Sequence, residues 1–530
     1  MQYETAKMLG LAVSLIIDTC FSWIRMFAAL GVSIIISIFV GIYAATHKVA
    51  EKLIMPIIDI LQTIPILAFF PVVIFIIVGA LPGSLGINLA VIFLIITSML
   101  WNIILGVYEA IKVLPKEFGE LSRLYGLSRI ERFRKIYLPA VMPKVVEQST
   151  LSWSIGLFYL VTSEIFSTGN AQYAVKTGIG AAIASPAVTG SIITYAMALV
   201  VFIGFVIATR FLFFKPLEEY FSRYNKHSAN TNQRAVPKAV TYAKIMKSIG
   251  SRIISSVSPA KLLKPTAKKK KIRRKAVQYE ETSFLDSSGY LIKYAIIAMA
   301  IAGFAALFVL SPTMITYEIE VLKALVYTFA RVWLAFAVTL AIGIPLSVYI
   351  IFITRHSTKY ILLFQILSSI PATILLPAIA TGLRGVPYYG EIVAFIVFVL
   401  SSMWYILFST LSIARTLPPN FLEVKDIYGV KGADAWRKIY IRAIIPGLIT
   451  GGITGIAAEW NASIVAEYFT IGSKVVAQVG TGIGRLLDLS LAANNLPLMI
   501  LTLINMTAMI IIINTILWKN LYKRISKMYG

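Results

Sequence analysis

Three carboxylates stand in stretches of sequence that are otherwise apolar: Glu164, Glu459 and Glu467. A carboxylate held at membrane depth is costly, so each either lines a solute path or has a built structural role inside the protein. Glu164 and Glu467 sit in matched surroundings, Glu164-Ile-Phe-Ser-Thr-Gly169 and Glu467-Tyr-Phe-Thr-Ile-Gly472, and a glycine five residues on also suits a helix end. Glu459 and its neighbour Trp460 have no such match, because Gly156 and Leu157 stand at the corresponding positions. Glu164, Glu467, Glu459 and Trp460 are therefore the candidate residues of a translocation path. Bond-breaking chemistry finds no foothold. The single cysteine, Cys20, cannot form an intramolecular disulfide. His47, His227 and His356 are scattered and make no metal-ligand set. A phosphate-binding stretch of the Gly-x4-Gly-Lys-Ser/Thr type is absent. Asn461-Ala-Ser463 and Asn505-Met-Thr507 match a glycosylation pattern but fall in apolar spans. The chain is not expected to be an enzyme, and neither a metal nor a cofactor is expected in it.

A second pattern is mechanical rather than chemical, and it occurs twice. The first copy reads Glu120-Leu121-Ser122, three residues, Gly126, nine residues, then Ile136-x-Leu138-Pro139. The second reads Glu423-Val424-Lys425, three residues, Gly429, nine residues, then Ile439-x-Ile441-Arg442. In the first copy Phe118, Leu121, Leu124 and Tyr125 share one face at helical spacing. Gly126 supplies a break where positive φ is cheap. A second helix over about Ser128–Tyr137 then leads into the next apolar span. Phe421, Val424, Ile427, Tyr428, Gly429 and the stretch Lys431–Tyr440 repeat the arrangement. Each copy thus predicts a helix–turn–helix elbow with an apolar knob. Lys425 in place of a small residue leaves open whether the two knobs are equivalent.

The elements that must carry these residues are membrane helices. The chain is 58% hydrophobic and 14% charged, against about 25% charged in soluble globular proteins. A bilayer core needs about 20 apolar residues per helix. This gives five spans in the first half, 24–46, 54–79, 87–111, 144–166 and 190–213, and six in the second, 290–311, 327–353, 361–382, 389–413, 445–468 and 495–518. The apolar segment Met8–Trp23 is interrupted by Asp18 and reads as a helix lying in the outer interface. Net charge is +25, and most of the lysines and arginines fall in alternate loops. The positive-inside bias then places the N-terminus outside and both the 215–289 segment and the C-terminus in the cytoplasm. The expected location is the plasma membrane, multi-pass.

The duplication extends beyond the elbows. Ile64-Pro65-x5-Pro71 matches Ile370-Pro371-x5-Pro377, and Thr177-Gly178-Ile179-Gly180 matches Thr481-Gly482-Ile483-Gly484. The offset drifts only from 303 to 306 residues, so this is a parallel repeat with its axis along the membrane normal. Pro65, Pro71, Pro371 and Pro377 are expected to kink their helices. Three domains follow: 1–214, a first transmembrane unit; 215–289, a basic linker; and 290–530, a second transmembrane unit. The linker's run Lys268–Lys275 reads as a solvated tether near anionic headgroups. It lacks the interleaved aromatics of a nucleic-acid module, and no nucleic-acid partner is expected.

The duplicated loop resembles the "EAA" loop of ATP-binding-cassette importer permeases, E-A-A-x3-G-x9-I-x-L-P, with Leu-Ser and Val-Lys replacing Ala-Ala and Arg442 replacing the proline. Asp59-x2-Gln62-x-Ile64-Pro65-x5-Pro71, Ala458-Glu459-Trp460-Asn461-Ala462 and Gly480-x-Gly-x-Gly484 further resemble the nitrate/sulfonate/taurine/bicarbonate group. The resemblance implies an all-α polytopic fold of two type I importer transmembrane domains, about five to six helices each, fused in one chain. It implies a permease moving a small solute, such as nitrate or a sulfonate, delivered by an extracellular binding protein. It also implies a cytoplasmic ATPase in two copies, which carries the ATP and Mg. Glu120, Leu121, Leu124, Tyr125, Gly126, Leu138, Pro139, Glu423, Val424, Ile427, Tyr428, Gly429 and Ile441 become the expected coupling residues. The competing reading is a major-facilitator secondary transporter with two six-helix halves. Against it, the loops at 46–53 and 354–360 lack a Gly-Asp-Arg-type motif, and the long repeated loop falls before the penultimate span of each half.

Overall fold

The computed structural model describes residues 2–62, 65–115, 118, 124–167, 175, 177–189, 191–225, 313–354, 357–368, 370–414, 429–430, 432–471, 474–493, 495–518 and 520–521. The expected span 290–311 and the linker beyond residue 225 lie outside them. The first half runs α1 (Gln2–Thr46), α2 (Lys48–Leu61), α3 (Ile66–Ala80), α4 (Ser84–Lys112), α5 (Leu138–Ser167), α6 (Ile179–Thr189), α7 (Ile192–Thr209) and α8 (Lys215–Asn225). The second runs α9 (Thr313–Val348), α10 (Ser357–Ser368), α11 (Ala372–Gly382), α12 (Tyr389–Ala414), α13 (Ile441–Ala466), α14 (Ile483–Ala492) and α15 (Leu496–Ile513). Among the described residues, seven helical stretches are long and apolar enough to cross a membrane: Met8–Thr46, Ser84–Lys112, Ile192–Phe221, Ile315–Ile353, Tyr389–Ser412, Gly432–Ala466 and Leu496–Trp518. One small antiparallel hairpin, β1 (Tyr468–Ile471) with β2 (Lys474–Gln478), interrupts the helical order directly after α13.

Packing within the halves repeats. Residues of α1 meet residues of α4 at a constant separation of 63: Ser33 Oγ bonds the Ile96 carbonyl at 3.4 Å and Ser37 Oγ the Leu100 carbonyl at 3.2 Å. In the second half Thr339 meets Ser402 at 2.8 Å and Ser347 meets Thr410 at 2.7 Å, again 63 apart. A constant separation means the paired helices run in the same direction, so the chain between them crosses back once. Small residues let the backbones approach, as in other membrane helix pairs. On α13, Gly447 and Gly451 each face the α12 backbone so closely that an added Cβ would stand 2.7 Å from the Ser409 or Tyr405 carbonyl oxygen.

Two expectations are corrected. Met8–Trp23 is not a separate interfacial helix: α1 is continuous over 45 residues. Leu15, Thr19, Ser22 and Trp23 are buried within the first half, and Asp18 does not interrupt the backbone ladder. The return crossings 54–79 and 361–382 are each two helices rather than one kinked span. Pro65 (φ −61°, ψ 113°) and Pro371 (φ −60°, ψ 135°) are extended residues that open α3 and α11. A proline forces the residue before it out of the helical region, which is enough to end the preceding helix. Pro377 lies inside α11, and Pro71 lies within the span of α3.

Candidate functional site

The first elbow lies where α4 ends and α5 begins, and the second where α12 ends and α13 begins. Glu120 and Leu121 of the first knob, and Glu423, Val424, Ile427 and Tyr428 of the second, lie outside the described residues. The remainder of the first knob is presented outward: Leu124 is 82% exposed and Tyr125 76%. Apolar side chains so exposed beside a turn suit contact with another surface. Gly126 and Gly429 have φ of +60° and +61°, and a Cβ at either would meet nothing within 4 Å. Their requirement is therefore for backbone conformation alone, in the left-handed region that costs other residues about 1–2 kcal/mol.

After Gly126 the chain is capped. Ser128 Oγ accepts the Glu131 amide while the Glu131 carboxylate accepts the Ser128 amide, a reciprocal capping box. The Lys135 ammonium donates to Glu131 at 2.9 Å and, with the Ser128 amide and hydroxyl, holds that carboxyl down to about 2. The helix Arg129–Arg132 continues through a π turn, Phe133–Tyr137, into α5, where Leu138 and Pro139 are half-buried. Phe133 stacks on Phe39 of α1, centroids 5.5 Å apart and planes 5° from parallel. The second elbow repeats this joint. Gly432–Ala435 leads through a π turn, Trp436–Tyr440, into α13 at Ile441, and Tyr440 stacks on Phe352 at 4.8 Å. Ile439, Tyr440 and Ile444 form a small core with Val348 at the end of α9. At the root of the first elbow, Lys112 closes α4 and bonds Glu51 of α2 at 2.7 Å, with Tyr108 also donating to Glu51. Partial burial pulls the Glu51 carboxyl up, but these two donors outweigh it and hold it below its ordinary value.

The carboxylates singled out above are fully buried, with Glu164 and Glu467 at the ends of α5 and α13 remote from the elbows. Glu164, near the end of α5, accepts from Ser22 Oγ at 2.7 Å, from Arg25 at 2.7 Å and from the Gly180 amide at 2.8 Å. Ser22 in turn accepts the Ile179 amide at 2.9 Å. Glu467, just after α13, accepts from Thr328 at 2.7 Å, Arg331 at 2.9 Å and the Gly484 amide at 2.8 Å, while Thr328 accepts the Ile483 amide at 2.9 Å. Each carboxylate thus ties the first described helix of its half, α1 or α9, to the start of α6 or α14. The glycines are required here: a Cβ at Gly178 would stand 2.6 Å from the Glu164 carboxylate, and one at Gly482 would overlap that of Glu467. Arg25 also donates to Asn88 and to the Thr177 carbonyl, whereas Arg331 takes Glu391 as a second carboxylate. Both carboxylates thus have hydrogen-bond partners on two other elements of their own half. The two arginines and their hydroxyl neighbours were missed in the sequence, although Ser22 and Arg25 recur as Thr328 and Arg331 at one offset of 306.

Glu459 and Trp460 are fully buried in the second half, with the Glu459 carboxyl against Ser402 of α12. Their surroundings are a reciprocal exchange. In the first half Gly156 replaces Glu459, Met99 replaces Ser402, and the Met99 terminal methyl fills the space above Gly156. Among the described residues, no group of three or more His, Cys, Asp or Glu could hold a metal.

The chain matches the family described as "Binding-protein-dependent transport system inner membrane component" twice, over residues 37–214 and 360–527. It is 24% identical over 160 residues to a bicarbonate transport system permease protein of Synechococcus elongatus, covering 30% of this chain and 55% of that protein. It is 25% identical over 135 residues to a nitrate import permease protein of Leptolyngbya laminosa, covering 26% and 46%. It is 28% identical over 153 residues to a glycine betaine/proline betaine transport system permease protein of Escherichia coli, covering 29% and 41%. The chain spans about half the length of these curated relatives.

Proposed function

The chain belongs to the binding-protein-dependent transport system inner membrane components, multi-pass permeases of ATP-binding-cassette importers, and we propose that it carries both membrane halves of one importer in a single polypeptide. Residues 1–214, extended by α8, and 290–530 are the halves, and the rest of 215–289 tethers them on the cytoplasmic side. The transported solute is a small anion, a reading supported by the printed functions of the nitrate and bicarbonate relatives. It arrives on an extracellular binding protein and crosses between the halves. The energy comes from a separate cytoplasmic ATPase dimer, one subunit on each elbow.

One observation carries this reading: two elbows at matched positions of a repeat, each with a positive-φ glycine followed by a helix running without a break into the next crossing. A push on such an elbow is delivered to α5 or α13, because the π turn and the Phe39–Phe133 or Phe352–Tyr440 stack fix the joint. ATP-driven closure of the ATPase dimer draws the elbows together and rotates the halves, and hydrolysis resets them. The loaded binding protein biases the switch by binding one state better than the other. Purification of the full chain with candidate ATPases, followed by ATP-driven uptake of nitrate and bicarbonate into proteoliposomes, tests it. Failure to recruit any nucleotidase overturns it.

A further inference from the structure

Among the described residues, three polar contacts run between the two halves, and all three gather on the first turns of the broken helices. Asn461 of α13 accepts the Ile66 amide, at the start of α3, at 2.8 Å. Thr162 of α5 donates to Thr373, at the start of α11, at 3.3 Å, and Tyr195 of α7 donates to the Ile374 carbonyl at 2.8 Å. Thr162 and Thr373 are fully buried. The Ile66 amide is one of the donors that a helix leaves without an intrahelical partner, and here the acceptor comes from the opposite half. Asn461 is oriented for this by its own amide, which donates to the Ala457 carbonyl at 2.9 Å.

None of the contacts is repeated by the pseudo-symmetry. Phe158 corresponds to Asn461, Val465 to Thr162, Leu67 to Thr373 and Met499 to Tyr195. Every counterpart is apolar, so the latch is a property of the pair of halves and not of either alone. A two-fold assembly of identical subunits would place each contact twice or not at all. The fused chain has made a one-sided seam.

From this we propose that Asn461, Thr162, Thr373 and Tyr195 are the gating residues of the seam: the arrangement they join is the closed state of the path, and their contacts part when it opens. The proposal rests on the permease reading, but its test needs neither solute nor nucleotide, so failure of either is seen separately. The opening elements are the helix starts at Pro65 and Pro371. Parting the seam exposes the Ile66 amide, which then requires water or a solute oxygen in place of Asn461. Replacing Asn461 removes the acceptor from the closed state only. The open population then rises by the worth of about one hydrogen bond, roughly fivefold.

The full chain is prepared in a Cys20→Ser background with Thr373→Cys, and labelling by a water-soluble maleimide is followed in nanodiscs. Asn461→Ala should label about fivefold faster than the same background with Asn461. Phe158→Ala, at the corresponding position of the first half, should leave the rate unchanged and serves as the control for general loosening. In parallel, Thr162→Cys with Thr373→Cys should cross-link on mild oxidation, read as one band rather than two after cleavage of a protease site placed in the linker. Equal labelling with and without Asn461, equal acceleration by Phe158→Ala, or no cross-link from two reactive thiols would each overturn the proposal.

Discussion

Arg331 reaches Glu467 at 2.9 Å across the second half, both side chains withdrawn from solvent, and Arg25 reaches Glu164 at 2.7 Å in the first. The pairs stand at the end of one helix, the middle of another and the start of a third, and they fix these three elements in each half. Burying such a pair is costly, and removing one partner leaves an uncompensated charge.

Arg25→Ala and Arg331→Ala should therefore each destabilise the folded chain by about 3–5 kcal/mol. Thermal unfolding in detergent, followed by tryptophan fluorescence, reads this. The double replacement Arg25→Met/Glu164→Gln should recover most of the loss, because no buried charge is left behind; Arg331→Met/Glu467→Gln should recover less, because Glu391 also loses its partner. A purely additive double mutant would mean that the partners do not act as a pair.

The exchange of Gly156 and Met99 for Glu459 and Ser402 makes a second prediction. Gly156→Glu alone drives a side chain into the Met99 methyl and should cost about 1–3 kcal/mol by overpacking. Adding Met99→Ser rebuilds the second half's arrangement in the first and should restore much of that stability. The same unfolding assay decides it, and no rescue by Met99→Ser would show that the two pockets are not equivalent.

The capping box of the first elbow carries a pH signature. Glu131 titrates at about 2, below its ordinary value, so the cap's contribution is fully present above about 4.5 and is lost as pH falls toward 2. Amide exchange over residues 129–137, corrected for intrinsic rates, should keep its full protection above about pH 4.5 and lose it progressively as pH falls from there toward 2. Ser128→Ala removes the cap at every pH and should cost about 1 kcal/mol of local helix stability.

Much of this architecture is legible in the sequence, because a duplicated order of apolar spans survives drift at individual positions. The positive-φ turns fall at Gly126 and Gly429, where the matched spacing puts a break. The partners of Glu164 and Glu467 were not legible. Arg25 sits near the start of the span 24–46 and Ser22 in a segment whose pattern reads as a separate helix, so neither points to a carboxylate more than 130 positions away. Pro65 and Pro371 read as kinks because helices in membranes tolerate proline. Whether such a helix bends or restarts depends on acceptors such as Asn461, which come from the other half. The hairpin after α13 carries its own signal, Tyr468-Phe-Thr-Ile471 and Val475-Val476, but an apolar run of that composition merges with the span before it.

Coupling through the elbows is the central claim, and one variant isolates it. A Cβ at Gly126 or Gly429 meets no atom within 4 Å, so Gly126→Val with Gly429→Val acts chiefly by straining the two turns. ATP-driven uptake by the double variant, reconstituted with the ATPase and binding protein proposed above, should fall at least about tenfold while membrane insertion and unfolding of the bundles stay near those of the unmodified chain. Uptake at the unmodified rate would contradict the account.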